Sequence, residues 1–347
     1  MWQSRLFSAF LLALVLLMLV ACASTGSNVF PLERGYQREE LLYGNLKAIA
    51  AINPGLVKVR LIGFGSSSET PIYALEIGDP KAKGRVLIIG QHHGEEVLGI
   101  ELSVALAHTL AQEWKRNKYW SKILEEYQIW IVPTINPEGW RVVSNGELAR
   151  KRKNNRVTNK NKTFDIRTDG VDLNRNYPVF WADQVPVPHT HPNYKGERPA
   201  TESEVQAIIS LAEKQDFELA FFYHSSASGN YSETIYLPAW VQSDAVQEAR
   251  INRLMDFAKS YAKLVKRDYQ DGYYHVAEGN SSRVGNARNY FFHTHDTDAL
   301  LIEIGGINKE GISVIHPPVK MMRKIVDKNI NALRSVLYER ALERGRE

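Results

Sequence analysis

The sequence predicts a three-layer αβα fold, class α/β, around a mostly buried sheet. Three observations predict it. Strand-length apolar runs alternate with stretches of helical spacing after about residue 36. Several of those runs are continuously apolar, as strands covered on both faces are. Polar residues also gather where the runs stop. With 347 residues, 24% of them charged, the chain is long enough for one large domain or two small ones. No linker or repeat marks a second unit, so 36–347 reads as one domain.

The N-terminus stands apart. "MWQSRLFSAFLLALVLLMLVACAS" has Arg5, an apolar run from Leu6 to Val20, then small residues, which is a signal-peptide layout. "LVAC" (Leu19 to Cys22) resembles the bacterial lipobox. Residues 1–21 are therefore expected to be removed, Cys22 to be lipidated, and 22–35 to form a tether. Cys22 is the only cysteine, so neither a disulfide nor a thiolate metal site is available. Ala23 after it resembles the pattern of lipoproteins sent to the periplasmic face of the outer membrane. The lipids would anchor the chain to a membrane without spanning it.

Along the chain, "VKVRLIGF" and "IYALEIG" read as paired strands, and "RVLIIG" as a buried central strand. "EEVLGIELSVALAHTLAQEW" has helical spacing with acidic residues in its first turn. "YQIWIVPTIN" is another buried strand. "TESEVQAIISLAEKQ" opens on Thr201 with Glu204 three residues on, a capping-box pattern. "FELAFFYHS" and "ALLIEIGG" are further core strands, and long helices are expected over 240–266 and 318–345. Residues 144 to 200 lack periodicity and read as long loops, which are often functional. The basic run 150–162 reads mainly as a solvated loop. A net charge of +4 and the absence of an aromatic platform beside that run speak against a nucleic-acid partner.

His93 and Glu96 follow "RVLIIG", His224 ends "FELAFFYH", and Glu303 lies near the end of "ALLIEIGG". In open α/β sheets, ligands bind beyond the carboxyl ends of strands. Two His and one Glu suit a catalytic zinc with a position left for water. A further acidic group can take a proton from that water.

These segments resemble the zinc carboxypeptidases. The resemblance rests on "HGEE" (His93 to Glu96), "NPEGW" (Asn136 to Trp140), "VDLNRNYP" (Val171 to Pro178), "YHS" (Tyr223 to Ser225) followed by "IYLP", and "LIEIG" (Leu301 to Gly305), in that order. It implies a central mixed, twisted sheet and one Zn²⁺ held by His93, Glu96 and His224. It implies Glu303 as the general base and Arg152, with Arg150 as the alternative, as the cation facing the oxyanion. Asn174 and Arg175 would grip the substrate's terminal carboxylate. His92 is expected to be a packed residue rather than a ligand.

Three positions bear on specificity or depart from the family pattern. Arg288 in "GNARNYFF" falls where the pocket for the terminal side chain has its floor, which implies a negatively charged end. The alternative is an Arg288 turned to solvent or paired with Asp296 or Asp298. The mobile tyrosine common in the family falls at Ser281, and Tyr273 or Tyr274 supplies it only with an insertion. Glu95 stands where some digestive members carry an arginine, so long-peptide binding like theirs is not implied.

The resulting expectation is a lipid-anchored zinc carboxypeptidase of the bacterial cell envelope with a peptide substrate. Murein peptides ending in diaminopimelate are one candidate. The alternatives are a deacylase of N-acyl amino acids and a catalytically inactive lipoprotein that binds peptide or peptidoglycan.

Overall fold

The apolar runs assemble into one eight-stranded mixed sheet, ordered β1-β2-β4-β3-β5-β8-β6-β7. The structure is a computed structural model. It describes residues 31–226, 231–279, 282–305 and 315–346. Cys22, the expected signal peptide and most of the expected tether lie outside these residues.

The elements in order are α1 (Glu39–Ile52), β1 (Val57–Phe64), β2 (Pro71–Ile77), β3 (Gly84–Ile89), α2 (Leu98–Glu113), α3 (Lys118–Glu126), β4 (Tyr127–Val132) and α4 (Pro137–Ser144). A 3₁₀ turn (Leu173–Arg175) precedes α5 (Ser203–Gln215), β5 (Leu219–His224), β6 (Thr234–Tyr236) and α6 (Ala245–Ala262). β7 (His275–Ala277), α7 (Ala287–Thr294), β8 (Asp298–Glu303) and α8 (Val319–Arg344) follow. Among the described residues, no helix is long and apolar enough to cross a membrane.

β3, β4, β5 and β8 pair in parallel at the centre, β1 and β2 run antiparallel to their neighbours, and β6 is antiparallel to β8 but parallel to β7. Side chains alternate between two cores, as the pleat requires. Val86, Ile88, Phe221, Tyr223, Leu300 and Ile302 face α1, α2, α3, α6 and α8. Leu87, Ile89, Ala220, Phe222 and Leu301 face α5 and most of α7. This alternation puts His224 and Glu303 on the α5–α7 face, in line with Phe222 and Leu301.

Several expectations need correction. Thr201 does not cap α5. The cap position is Glu202, with no side-chain cap bond. Glu204 instead accepts from Ser66 N at 3.0 Å and from Asn154 Nδ2 at 3.2 Å. Tertiary contacts therefore take the carboxylate that a capping box needs. Glu95 and Glu96 precede α2, and the acidic residue in its first turn is Glu101. "NPEGW" is not only a turn: Asn136 accepts from Gly139 N and starts α4. In the basic run, Lys151 and Lys153 are buried. Their ammonium groups bond the carbonyls of Ile166, Asp169, Thr168 and His189 and fasten two long loops together.

Candidate metal centre

The turn after β3 carries two ligand candidates in a tightly packed path. Gly94 N donates to Arg152 O, and Asn136 Nδ2 donates to His92 O at 3.0 Å. A Cβ on Gly94 would meet the Gly139 carbonyl carbon at 2.4 Å, so the backbones touch there. The turn holds His93 and Glu96 inward while α2 begins at Leu98.

His93, Glu96 and His224 are all buried, and one ligand atom from each lies within 4.8 Å of the others. His93 Nδ1 is 2.8 Å from Glu96 Oε1, and His224 Nδ1 is 2.8 Å from Glu96 Oε2. The two Nδ1 atoms are 3.2 Å apart. Two imidazole nitrogens and a carboxylate converging from two strand ends match the donor set of a zinc site with room for water.

Outer contacts fix each ligand. His93 Nε2 is 3.1 Å from Asp172 Oδ1. Asp172 Oδ2 accepts from Arg152 Nε at 2.9 Å and Nη2 at 2.8 Å. Burial alone would raise the Asp172 carboxyl, but Arg152 and His93 outweigh it and hold it well below the usual range. Asn174 Nδ2 lies 3.2 Å from His224 Nε2, and its Oδ1 accepts from Ala287 N, tying the ligand to the start of α7. Burial lowers the His224 imidazole to about 4, despite the opposing pull of Glu96. His224 is therefore neutral at neutral pH, as a ligand must be. His92 is packed as expected: its ring stacks on that of His224 at 5.2 Å, and its Nε2 meets Tyr177.

A cavity of about 510 Å³ opens over the cluster, lined by Arg152, Asn174, Arg175, Tyr236, Arg288 and Glu303 among others. Glu303 Oε2 is buried without a hydrogen-bond partner. Burial, then Glu96, raises its carboxyl well above the usual range, with Arg152, Arg288 and Arg175 opposing. A divalent cation at the cluster acts in the same direction as the arginines. Of the two oxyanion candidates, Arg152 lines the cavity, with Nη1 3.7 Å from Glu96 Oε1. Arg150 instead pairs with Glu95 at 3.1 Å. Arg288 is buried, and its alternative partners are taken: Asp296 pairs with Arg250 and Asp298 with Arg340.

Neither tyrosine weighed from the sequence lines the cavity. Tyr274 is buried against Asn329 of α8, and Tyr273 is exposed. Ser281 lies outside the described residues. The sequence reading gave no role to Asp172, behind the cavity, or to Tyr236, in its lining. Asp172 sat inside the quoted "VDLNRNYP". Tyr236 sat inside "IYLP", and its place opposite β8 needed the strand register.

Comparison with known proteins gives a consistent result. The profile of the family described as zinc carboxypeptidase matches residues 42–332. The human carboxypeptidase N catalytic chain is 28% identical over 240 residues, covering 65% of this chain and 48% of its own. An inactive metallocarboxypeptidase, ECM14, of Blastomyces gilchristii is 25% identical over 260 residues, covering 72% of this chain and 42% of its own. The chain thus spans less than half the length of these two relatives. In fold, it resembles bovine thrombin-activatable fibrinolysis inhibitor, solved in complex with tick carboxypeptidase inhibitor. The TM-score is 0.72 at 18% identity, over 89% of this chain and 98% of that one.

Proposed function

We propose that this chain, which belongs to the zinc carboxypeptidase family, hydrolyses the C-terminal amide bond of peptides whose last residue is negatively charged. The observation that carries the reaction is the position of Glu303, whose unpartnered Oε2 opens on the same cavity as the His93–Glu96–His224 cluster.

When bound, zinc supplies Lewis acidity, acidifying the attacking water and polarising the scissile carbonyl. Each remaining role falls to a side chain. Glu303 Oε2 takes a proton from the attacking water and later delivers it to the leaving amine. Arg152, fixed by its two bonds to Asp172, faces the charge that develops on the carbonyl oxygen. Arg175 and Asn174 receive the terminal carboxylate, for which a planar guanidinium is suited. Arg288 receives the terminal side chain. It is a buried cation with a free Nε, and an anionic partner would relieve it.

The family includes relatives named inactive. The complete cluster, the base and the three cavity arginines favour turnover here. The segments Asn136 to Trp140 and Val171 to Pro178 favour a peptidase over a deacylase. Tethered through Cys22 to the cell envelope, the enzyme would meet murein stem peptides. Their diaminopimelate presents a second carboxylate to Arg288.

The test is a release assay, read by mass spectrometry. It compares muropeptides with L-peptides ending in Glu, Lys and Phe. Preferential release of Glu or diaminopimelate supports the reading. Preferential release of Lys or Phe overturns the role given to Arg288.

A further inference from the structure

We infer that Tyr236 is a specificity-determining residue: its ring seats the Arg288 guanidinium in the cavity, and its hydroxyl shares the terminal side-chain carboxylate with it. The inference rests on the reading that the terminal residue is acidic.

Three observations lead to it. First, β6 lies antiparallel to β8, with Thr234 opposite Glu303 and Tyr236 opposite Leu301. Side chains two apart on a strand share a face, so Tyr236 projects on the side that carries Glu303. A strand position is firmer than a loop position, which suits a residue that sets geometry. Second, the Arg288 guanidinium carbon lies 5.5 Å from the centre of the Tyr236 ring, within the range of a cation–π contact. Arg288 Nε makes no hydrogen bond, and the ring is one of the groups against which this buried cation rests. Third, both residues line the same cavity, together with Arg175. Burial, then the Glu303 charge, pushes the Tyr236 hydroxyl up to about 12, so it remains a donor at neutral pH.

The cavity's charge balance points the same way. Its arginines 152, 175 and 288 carry three positive charges, against Glu96 and Glu303 in the lining and Asp172 behind it. With the Glu303 carboxyl pushed toward its neutral form by burial, the cavity is net positive even before a metal ion is added. A terminal residue with an α-carboxylate and a side-chain carboxylate supplies two negative charges. A hydroxyl beside Arg288 then distinguishes a carboxylate, which accepts two donors at once, from a neutral side chain.

The test uses two L-peptides identical except for a terminal Glu or Leu. Steady-state kinetics on the zinc-loaded chain is combined with calorimetric binding of free L-glutamate. Tyr236→Phe keeps the ring and removes the hydroxyl. It should lower the Glu-over-Leu ratio of kcat/KM by about tenfold or more, the size of a hydrogen bond to a charged group. The change should sit in KM, with kcat held, and L-glutamate binding should weaken by a similar factor. Tyr236→Leu, which removes the ring as well, should lose more of the ratio. Arg288→Gln is the control for the acidic-end reading. If it abolishes the preference while both Tyr236 variants keep the wild-type ratio, the inference fails and that reading stands. If the wild type shows no preference for Glu, both fall. Equal losses on both peptides in Tyr236→Phe would also overturn the inference, since they mark a structural role.

Discussion

His224 and Glu303 are register partners at the ends of two adjacent parallel strands, β5 and β8. The pairing places a ligand and a carboxylate with an unpartnered Oε2 side by side on one face of the sheet. It also separates their duties, since only His224 bonds Glu96. Glu303→Gln should therefore retain one zinc per chain and lose about 10²- to 10⁴-fold in kcat, the usual worth of a general base. Metal analysis and peptide turnover on the same sample check this. Near-full activity in the variant would remove Glu303 from the reaction.

Asp172 reaches the cluster through His93 and Arg152 without being a ligand itself. Outer partners of this kind typically govern metal affinity by 10- to 100-fold. Asp172→Asn should weaken zinc binding by about that factor, measured by competition with a chromogenic chelator. It should also lower kcat, because Arg152 loses its anchor.

Glu204 supplies a pH prediction away from the cavity. Burial raises its carboxyl to about 7, and Glu202 adds to the rise, against the Ser66 bonds. A carboxyl raised on folding favours the folded state below its unfolded value, and that contribution is lost as pH rises to about 7. The loss is on the order of 3–4 kcal/mol at most. Glu204→Gln, neutral throughout, should escape it. Its Tm relative to wild type should climb between pH 4.5 and 7 and level off above. A pH-independent difference would count against a buried titrating Glu204.

Two glycines make a contrasting pair. A Cβ on Gly99, at the start of α2, would stand 1.7 Å from Gly90 O, a backbone atom that cannot step aside. Gly99→Ala should destabilise by about 1–3 kcal/mol or more, as overpacking does. Gly44, within α1, has nothing within 4 Å. Gly44→Ala should stabilise by about 0.5–1 kcal/mol through helix propensity. Urea denaturation of the three proteins reads both effects.

Much of this architecture was legible beforehand, for physical reasons. β3, β4, β5 and β8 are covered on both faces, and continuous apolar runs announce such strands. His93, Glu96, His224 and Glu303 were legible because they break those runs at the strand ends. Short elements were not. β6 and β7 have three residues each, too few for a period. Lys151 and Lys153 looked solvated because lysines usually are. Only the folded loops supply the carbonyls that bury them. Tyr236 carried no local signal, since its meaning comes from pairing with a strand 65 residues away.

Zinc stoichiometry of the wild type and His224→Ala, measured with turnover on a Glu-ended peptide, tests the central claim most directly. The account predicts one zinc per wild-type chain and release of the terminal residue, with both lost in the variant and both removed from wild type by chelation. Wild-type protein that retains no divalent metal after zinc loading, or a His224→Ala variant that keeps metal and activity, would contradict it.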